Sequence, residues 1–376
     1  MSNPTDVLCQ HVAAAHSGTN MDSLPPDCYR SPEFFEVERE RIFEPAWISV
    51  AHVSQVPNPG DYVCQDLLNE SLVITRDQDD AIHVLSRVCL HRWTQIVTGS
   101  GNADRFVCPF HAWTYALDGQ LTGAPVTRDE PGFEMARCRL PEFRHEIHDG
   151  FVLVNLSGDA TSPDKALEPL KKRFHNYNLE NLQMIGVLEY ECAYDWKILV
   201  ETFMESYHHI GIHTKTLEPL YPARTSFMSE RSDTYVVLDN PVKPGLETAG
   251  DELLPLMNAL AAHEVDRFVV YNVFPFHLVA LFPNLIAWFR VNPTGAGRCQ
   301  LAVHVLVEPD VAVKLDETAR QEALGWIDVI NREDIAVNVS QQRGLLSVQA
   351  CPGRLNQLEQ ANAAFAAYLR ESIATH

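Results

Sequence analysis

The pattern of apolar and polar residues first separates a β-rich part of the chain. Residues 72–75 and 151–155 are short apolar runs with β-branched side chains, and turn pairs such as Asp118-Gly119 separate runs of this kind. We therefore predict a small all-β domain over residues 47–156.

The segment before it, residues 1–46, is predicted to be helical. Ser31 followed by Pro32 is typical of a helix N-cap and first turn. Apolar residues recur at helical spacing over residues 33–44, and Pro45 ends the pattern.

Helical and extended patterns mix in residues 157–376, after a polar stretch at 157–165 that is predicted to be a linker. We predict an α+β domain there, with an antiparallel sheet and packed helices. The predicted helices cover residues 195–210, 317–343 and 356–373, and the predicted strands lie within 268–291 and 299–307.

The charge and composition narrow the classes of partner. The chain has 29 basic and 50 acidic residues, for a net charge of -21, which disfavours nucleic acid and anionic membrane surfaces. Its most apolar stretch, residues 268–289, contains Pro and Asn and does not read as a membrane-spanning helix. The absence of a signal-like N-terminus and the nine scattered cysteines favour a reducing, cytoplasmic location.

Two Cys/His pairs stand out in the β-rich domain. Cys89 and His91 form a Cys-x-His pair, and Cys108 and His111 form a Cys-x2-His pair sixteen residues after His91. Two thiolates and two imidazoles suit a [2Fe-2S] cluster with the cysteines on one iron and the histidines on the other. A structural zinc site with the same four ligands, or buried side chains that never meet, are the alternatives.

A second group of metal-binding residue types lies in the α+β domain. In the predicted helix over residues 195–210, Glu205 and His208 share a face, and Gly211 allows the last turn to bring His213 towards them. Asp334 interrupts the apolar stripe of the long helix, so we expect it to have a partner. Two histidines and one carboxylate suit ferrous iron with open positions. Alternatively, the histidines are ordinary core or surface residues, and Asp334 pairs with Arg332 or Arg343.

The motifs around these residues resemble those of Rieske non-haem iron oxygenases over about residues 30–370. The resemblance rests on Cys-x-His-Arg at 89–92, Cys-x2-His-x-Trp-x-Tyr at 108–115, Tyr-His-x4-His at 207–213 and Asn-Arg-Glu-Asp at 331–334. Trp93 and Ala112 depart from it, because the family usually has glycine there, and a side chain at positive φ would be strained. Asp195 and Thr202 stand where the family more often has asparagine.

By that resemblance, each candidate residue has a role. The inner cluster iron is held by the two cysteines, the outer iron by the two histidines, and the mononuclear Fe(II) by His208, His213 and Asp334. Glu205 is the acidic bridge that links His111 of one subunit to His208 of the next, which implies a homotrimer. A glutamate at this position resembles the choline, carnitine and glycine-betaine branch.

The resemblance also implies an activity. The chain would use dioxygen and electrons from NAD(P)H, delivered by a separate reductase or ferredoxin, to hydroxylate or N- or O-dealkylate a small organic substrate. The alternatives are a ring-hydroxylating dioxygenase of aromatic hydrocarbon catabolism, a Rieske electron carrier, and a zinc-stabilised binding module. Six aromatic residues are candidates for the substrate pocket: Phe203, Tyr207, Phe274, Phe276, Trp288 and Phe289.

Overall fold

The computed structural model describes residues 4–14, 21–248 and 253–374. Two compact units divide the chain: one runs from Trp47 to Asp164, and the other is built from the described residues before and after it. Residues up to Ala46 therefore group with those that follow Lys165.

The unit from Trp47 to Asp164 consists of ten short strands in three antiparallel sheets. The strands are β1 (Trp47–His52), β2 (Asp61–Leu67), β3 (Glu70–Arg76), β4 (Ile82–Ser86), β5 (Ser100–Asn102), β6 (Phe106–Val107), β7 (Thr114–Tyr115), β8 (Leu121–Gly123), β9 (Arg144–His148) and β10 (Phe151–Asn155). Their orders are β1-β10-β9, β4-β3-β2-β5 and β6-β7-β8. The buried side chains of one hydrophobic cluster in this unit include Cys89 and Cys108, so both thiols lie in the core.

A seven-stranded antiparallel sheet forms the centre of the other unit, in the order β11-β17-β16-β15-β14-β13-β12. Its strands are β11 (Gln183–Cys192), β12 (Phe227–Arg231), β13 (Tyr235–Pro241), β14 (Arg267–Val273), β15 (His277–Leu281), β16 (Ile286–Gly295) and β17 (Arg298–Val307). Strands β14 to β17 are buried along most of their length, as the uninterrupted apolar runs predicted.

Eight α-helices accompany this sheet in the described part of the chain. They are α1 (Pro4–Ala14), α2 (Pro32–Glu38), α3 (Asp164–Arg173), α4 (Trp196–Phe203), α5 (Ala262–Val265), α6 (Pro309–Ala312), α7 (Glu317–Leu345) and α8 (Gln360–Ala374). The Ser31 hydroxyl accepts from the backbone N–H of Phe34 and caps α2, as predicted. The long helix α7 contacts both β11 and α4, which brings residues from distant parts of the chain together.

The predicted fold class, a Rieske-type β-domain followed by an α+β domain with an antiparallel sheet, is confirmed. One predicted helix is wrong in extent: α4 ends at Phe203 instead of continuing to residue 210. Within the described ranges, we find no helix with the length and apolarity needed to traverse a bilayer.

Candidate metal centres

Each Cys/His pair of the β-unit lies on a loop closed by the same two backbone hydrogen bonds. In the first loop, the Cys89 N–H donates to the carbonyl of Thr94 at 2.9 Å, and the Trp93 N–H donates to the carbonyl of Cys89 at 3.0 Å. The second loop repeats both bonds, from Cys108 to Trp113 at 2.8 Å and from Ala112 to Cys108 at 3.0 Å. The two loops therefore present their cysteines in equivalent ways.

The residues at the tight point of these loops adopt the left-handed conformation that was suspected from the sequence. Trp93 has φ 55° and Ala112 has φ 59°. A side chain in this region costs roughly 1–2 kcal/mol relative to the right-handed one. The Trp93 side chain recovers little of this cost by packing, because it is 80% exposed.

The structure brings the candidate cluster ligands together in two pairs, the thiol of Cys89 with that of Cys108 and the ring of His91 with that of His111. Cys89 and Cys108 are each only 2% exposed, and the rings of His91 and His111 lie 4.6 Å apart. His91 also stacks on Trp113, with an interplanar angle of 8°. The His111 residue is exposed, which leaves the cluster edge accessible.

Three observations show that these residues fit an iron–sulfur cluster. The Nδ1 atom of His91 is buried and has no hydrogen-bond partner among the described residues, as expected of an atom that ligates a metal. The hydroxyl of Tyr115 lies 3.3 Å from the Cys89 sulfur and accepts from the backbone N–H of Leu90 at 3.1 Å. Burial, together with the neighbouring Cys89 thiol, raises the pKa of Cys108, so the thiolate needs a positive partner such as iron.

In the α+β unit, the chain leaves the helical path immediately before the candidate iron ligands. Helix α4 ends at Phe203, and a short 3₁₀ turn, Tyr207–Ile210, follows after a break. At the break, a side-chain oxygen of Glu205 accepts from the His208 backbone N–H at 3.0 Å, and the Ser206 hydroxyl donates to Asn240 at 2.5 Å. Polar side chains here take over bonds that a continuous helix would make. The prediction that Glu205 and His208 share one helical face is therefore wrong.

Gly211 also differs from its predicted role. Its φ is −93°, in the right-handed region, so the backbone at this position does not require a glycine. The earlier break at residues 204–206 is what turns the chain, and His213 follows it into the interior with its side chain fully buried.

His208, His213 and Asp334 converge on one point. The Oδ1 atom of Asp334 lies 3.0 Å from Nε2 of His213 and 3.6 Å from Nε2 of His208. Two ligands that each lie about 2.1 Å from a metal, at right angles, are about 3.0 Å apart, so this spacing suits a shared ion. One ligand atom from each of these three side chains lies within 4.8 Å of the other two, a spacing at which the described residues could hold a metal ion.

A carboxylate lies behind each histidine, on the nitrogen that faces away from Asp334. Glu205 is 2.8 Å from Nδ1 of His208, and Glu333 is 2.7 Å from Nδ1 of His213. Such contacts fix the tautomer, so that Nε2 is free to bind a metal. Burial lowers the pKa of His208, but the charges of Glu205 and Asp334 outweigh it and raise the pKa above its usual value.

The sequence analysis missed Glu333. Adjacent residues of a helix point about 100° apart, so the position of Glu333 directly before Asp334 did not indicate that the two carboxylates reach the same site. Thr216, also missed, donates its hydroxyl to Glu333 at 2.7 Å.

The arginine alternatives for Asp334 are not realised. Arg332 instead forms an ion pair with Asp328, at 2.7 Å. No arginine within residues 4–14, 21–248 and 253–374 lies within ion-pair distance of Asp334.

A cavity opens beside the three converging side chains. It leaves about 80 Å³ for the centres of water-sized molecules, which is several times the space that one water needs. Of the six aromatic candidates, Phe203 and Phe289 line it, with their rings 4.8 Å apart. The other four lie elsewhere: Phe276 and Trp288 are buried in the core, Phe274 stacks on Tyr368, and Tyr207 is half-exposed.

The fold and the two clusters together define a protein with an iron–sulfur domain and a separate metal-binding domain. A family model described as the Rieske [2Fe-2S] domain matches residues 46–143, and one described as the ring hydroxylating alpha subunit (catalytic domain) matches residues 179–375. The chain belongs to the family of ring hydroxylating alpha subunits. The resemblance to Rieske oxygenases is thus confirmed, as are the predicted [2Fe-2S] cluster and mononuclear iron.

Curated relatives share part of the sequence. The carnitine monooxygenase oxygenase subunit of Escherichia coli (strain K12) is 32% identical over 189 residues, covering 50% of this chain and 50% of that protein. The choline monooxygenase of Spinacia oleracea chloroplasts is 26% identical over 330 residues, covering 85% and 71%. The N,N-dimethyl phenylurea N-demethylase subunit alpha of Sphingobium sp. (strain YBL2) is 32% identical over 216 residues, covering 55% and 46%. The chain thus spans about half the length of several curated relatives that it matches.

Solved structures share the fold. A quaternary ammonium Rieske monooxygenase, whose structure was described as revealing carnitine oxidation and inter-subunit electron transfer, superposes with a TM-score of 0.82 at 23% identity over 99% of each chain. A naphthalene 1,2-dioxygenase from Rhodococcus sp. superposes with a TM-score of 0.75 at 22% identity, covering 99% of this chain and 98% of that chain.

Proposed function

We propose that this protein is the oxygenase component of a multicomponent system that hydroxylates a small organic substrate. Where the attacked carbon is bonded to nitrogen or oxygen, the product loses the alkyl group, so the net reaction is a dealkylation. The convergence of two Nε2 atoms on one carboxylate oxygen of Asp334, beside a cavity lined mainly by apolar side chains, carries this proposal.

The roles of individual residues are part of the proposal. Cys89 and Cys108 would hold one cluster iron, and His91 and His111 the other, while His208, His213 and Asp334 would hold the mononuclear iron. When bound, the cluster supplies one-electron transfer and the ferrous ion supplies activation of dioxygen. The chain's own contribution is to orient these ligands and to keep water out of the cavity.

Glu205 connects the two centres in this proposal. The Glu205 carboxylate lies 2.8 Å from Nδ1 of His208 and accepts its hydrogen bond, and Glu205 is only partly exposed. We propose that the exposed His111 of one subunit approaches the Glu205 of its neighbour in a homotrimer. The inter-subunit electron transfer described for the quaternary ammonium monooxygenase supports this arrangement.

The relatives favour hydroxylation next to nitrogen over attack on an aromatic ring. Carnitine, choline and N,N-dimethyl phenylurea, which occur in their names, are all N-methyl compounds. The ring-hydroxylating dioxygenase alternative is therefore not favoured. A reductase or ferredoxin is a required partner in the proposal. We also propose a reducing, cytoplasmic location, which the lack of a disulfide among the cysteines of the described residues supports.

A single-turnover experiment tests the proposal. The purified holoprotein is reduced without oxygen, mixed with a panel of N-methyl compounds, and exposed to labelled dioxygen. We expect labelled hydroxylated product, or formaldehyde from dealkylation, in the parent and in the control variant Cys138→Ser. The variant His213→Ala should keep the cluster spectrum and form no product. Product from His213→Ala at the parental level would contradict the proposal.

Mixed oligomers test the proposed route between subunits. A chain with His111→Ala and a chain with His213→Ala should each be inactive alone. Mixed trimers should recover part of the activity, because an intact cluster then faces an intact iron site. Inactive mixtures, in which hybrid oligomers have been demonstrated, would count against transfer between subunits.

A further inference from the structure

Apart from Tyr194, the ionisable side chains of the cavity are acidic residues and histidines at its iron-binding end. They are Glu205, His208, His209, His213 and Asp334. The Nδ1 atom of His209 lies 3.2 Å from the backbone carbonyl of Tyr221, so this nitrogen is already engaged within the protein. Neither lysine nor arginine occurs among the described residues that line the cavity. The wall away from the iron site therefore carries no charge.

That wall is mainly aliphatic and aromatic. Two pairs of phenylalanine rings contribute to it: Phe203 with Phe289, and Phe268 with Phe282, each with ring centroids 4.8 Å apart. Rings in such a wall pack well against a flat or apolar ligand.

Most of the polar groups in the cavity are already bonded within the protein. The Thr202 hydroxyl donates to Asn338 at 2.7 Å, and the Asn331 side-chain amide donates to the carbonyl of Ile327 at 2.8 Å. The Thr202 hydroxyl proton and one N–H of the Asn331 amide are therefore already used.

Asn240, on β13, is the exception. Its Oδ1 accepts from the Ser206 hydroxyl at 2.5 Å, which fixes the orientation of the amide. Its Nδ2 is buried and has no acceptor within the part of the chain that the structure describes. The residue is 2% exposed and lines the cavity. A buried amide donor without an acceptor is costly, so a ligand that supplies one would be favoured.

On the basis of the proposed function, we propose that the substrate is a mainly apolar molecule that carries no carboxylate and offers a hydrogen-bond acceptor to Asn240, and not a carboxylate-bearing ammonium compound. A carboxylate would be buried without a cation, in a cavity that already holds the carboxylates of Glu205 and Asp334. Desolvating an unpaired charge there is strongly unfavourable. Carbonyl and ether oxygens satisfy the amide without that cost.

Binding to the oxygen-free holoprotein, measured by calorimetry without reductant, tests this inference. The probes are N,N-dimethylbenzamide, an N-methyl aryl urea and an aryl methyl ether, each paired with its own para-carboxylate. We expect at least one uncharged probe to bind, and its carboxylate partner to bind on the order of a hundredfold more weakly. Equal or tighter binding of the carboxylate would overturn the inference, and so would failure of every uncharged probe to bind.

Variants at Asn240 separate the hydrogen bond from the apolar wall. Asn240→Leu removes the donor and should weaken binding of the amide about tenfold. The control is Asn292→Leu, a second buried strand asparagine that is bonded to Gln300 and does not line the cavity. We expect this control to bind the amide with parental affinity. Equal loss in both variants would show that Asn240 acts only through folding, and would overturn its assigned role.

The outcome is independent of whether the protein is an oxygenase. Oxygen uptake is measured separately, on the same probes, with a surrogate reductase. Binding of uncharged probes without uptake or product would retain the inferred ligand class and reject the proposed function. Turnover of the carboxylates alone would retain the proposed function and reject the inferred ligand class.

Discussion

Replacing Glu333 should weaken the mononuclear iron site without touching an iron ligand. The Glu333 carboxylate accepts two hydrogen bonds, from Nδ1 of His213 and from the hydroxyl of Thr216, each 2.7 Å long. With Nδ1 held as a donor, Nε2 of His213 remains available for the metal. Without Glu333, neither the orientation of the His213 ring nor its tautomer is fixed by this contact.

The size of the effect follows from these two bonds. A hydrogen bond to a charged group contributes about 1.5–3 kcal/mol, and one between neutral groups about 0.5–1.5 kcal/mol. The side chain of Glu333 is 30% exposed, so solvent screening favours the lower end of each range. Glu333→Gln, which keeps an acceptor but loses the charge, should cost about 1 kcal/mol, or roughly fivefold in iron affinity. Glu333→Ala should cost about 2–2.7 kcal/mol, or roughly thirtyfold to a hundredfold.

Competition with a coloured ferrous chelator under anaerobic conditions measures this affinity. Glu322→Gln, an exposed glutamate on the same helix α7, is the matched control and should bind iron as the parent does. The visible spectrum of the cluster should be unchanged in all variants. Unaltered iron affinity in Glu333→Ala would refute the reasoning, and so would equal losses in the control.

Two further predictions concern the interior of each unit. Lys197 is fully buried, and its Nζ lies 2.5 Å from the carboxylate of Glu38 and 2.6 Å from that of Asp195. The variant Lys197→Met should leave both buried carboxylates without this partner. We expect the free energy of unfolding to fall by about 3–5 kcal/mol, as measured by denaturant titration. The control Lys172→Met, at an exposed position, should have near-parental stability. Equal stability of the two variants would contradict this prediction. Tyr115→Phe removes the hydroxyl that lies 3.3 Å from the Cys89 sulfur, and should lower the cluster's reduction potential by about 40–60 mV. A potentiometric titration that finds no change, or an increase, would contradict it.

The sequence predicted which side chains converge at residues 208, 213 and 334 better than it predicted the path of the backbone between them. Cys, His and Asp at these spacings have few other uses, so the chemistry identified the candidates directly. The apolar residues Phe203, Tyr207 and Ile210 are spaced as in one continuous helix. The structure instead has a helix that ends at Phe203 and a separate 3₁₀ turn at Tyr207–Ile210. The break itself depends on Ser206 bonding to Asn240, which lies 34 positions later. A contact of that range leaves no local pattern.

The side chains behind the ligands escaped prediction for the same reason. Glu333 is 120 positions from His213, and the two meet because α7 packs against α4. Asn240 was equally hidden, within an apolar strand whose neighbours gave no sign of a cavity. By contrast, the positive φ of Trp93 and Ala112 was anticipated, because the glycine usual at these places indicates a conformation that the loop requires.

Iron and acid-labile sulfide, counted in the parent and in Asp334→Ala, test the central claim most directly. The account predicts about three irons and about two sulfides per parent chain, since a two-iron cluster and one further ion are present. The variant should keep both sulfides and the cluster spectrum and should contain one iron fewer. A variant that retains the full parental iron content would contradict the assignment of His208, His213 and Asp334 as a metal centre.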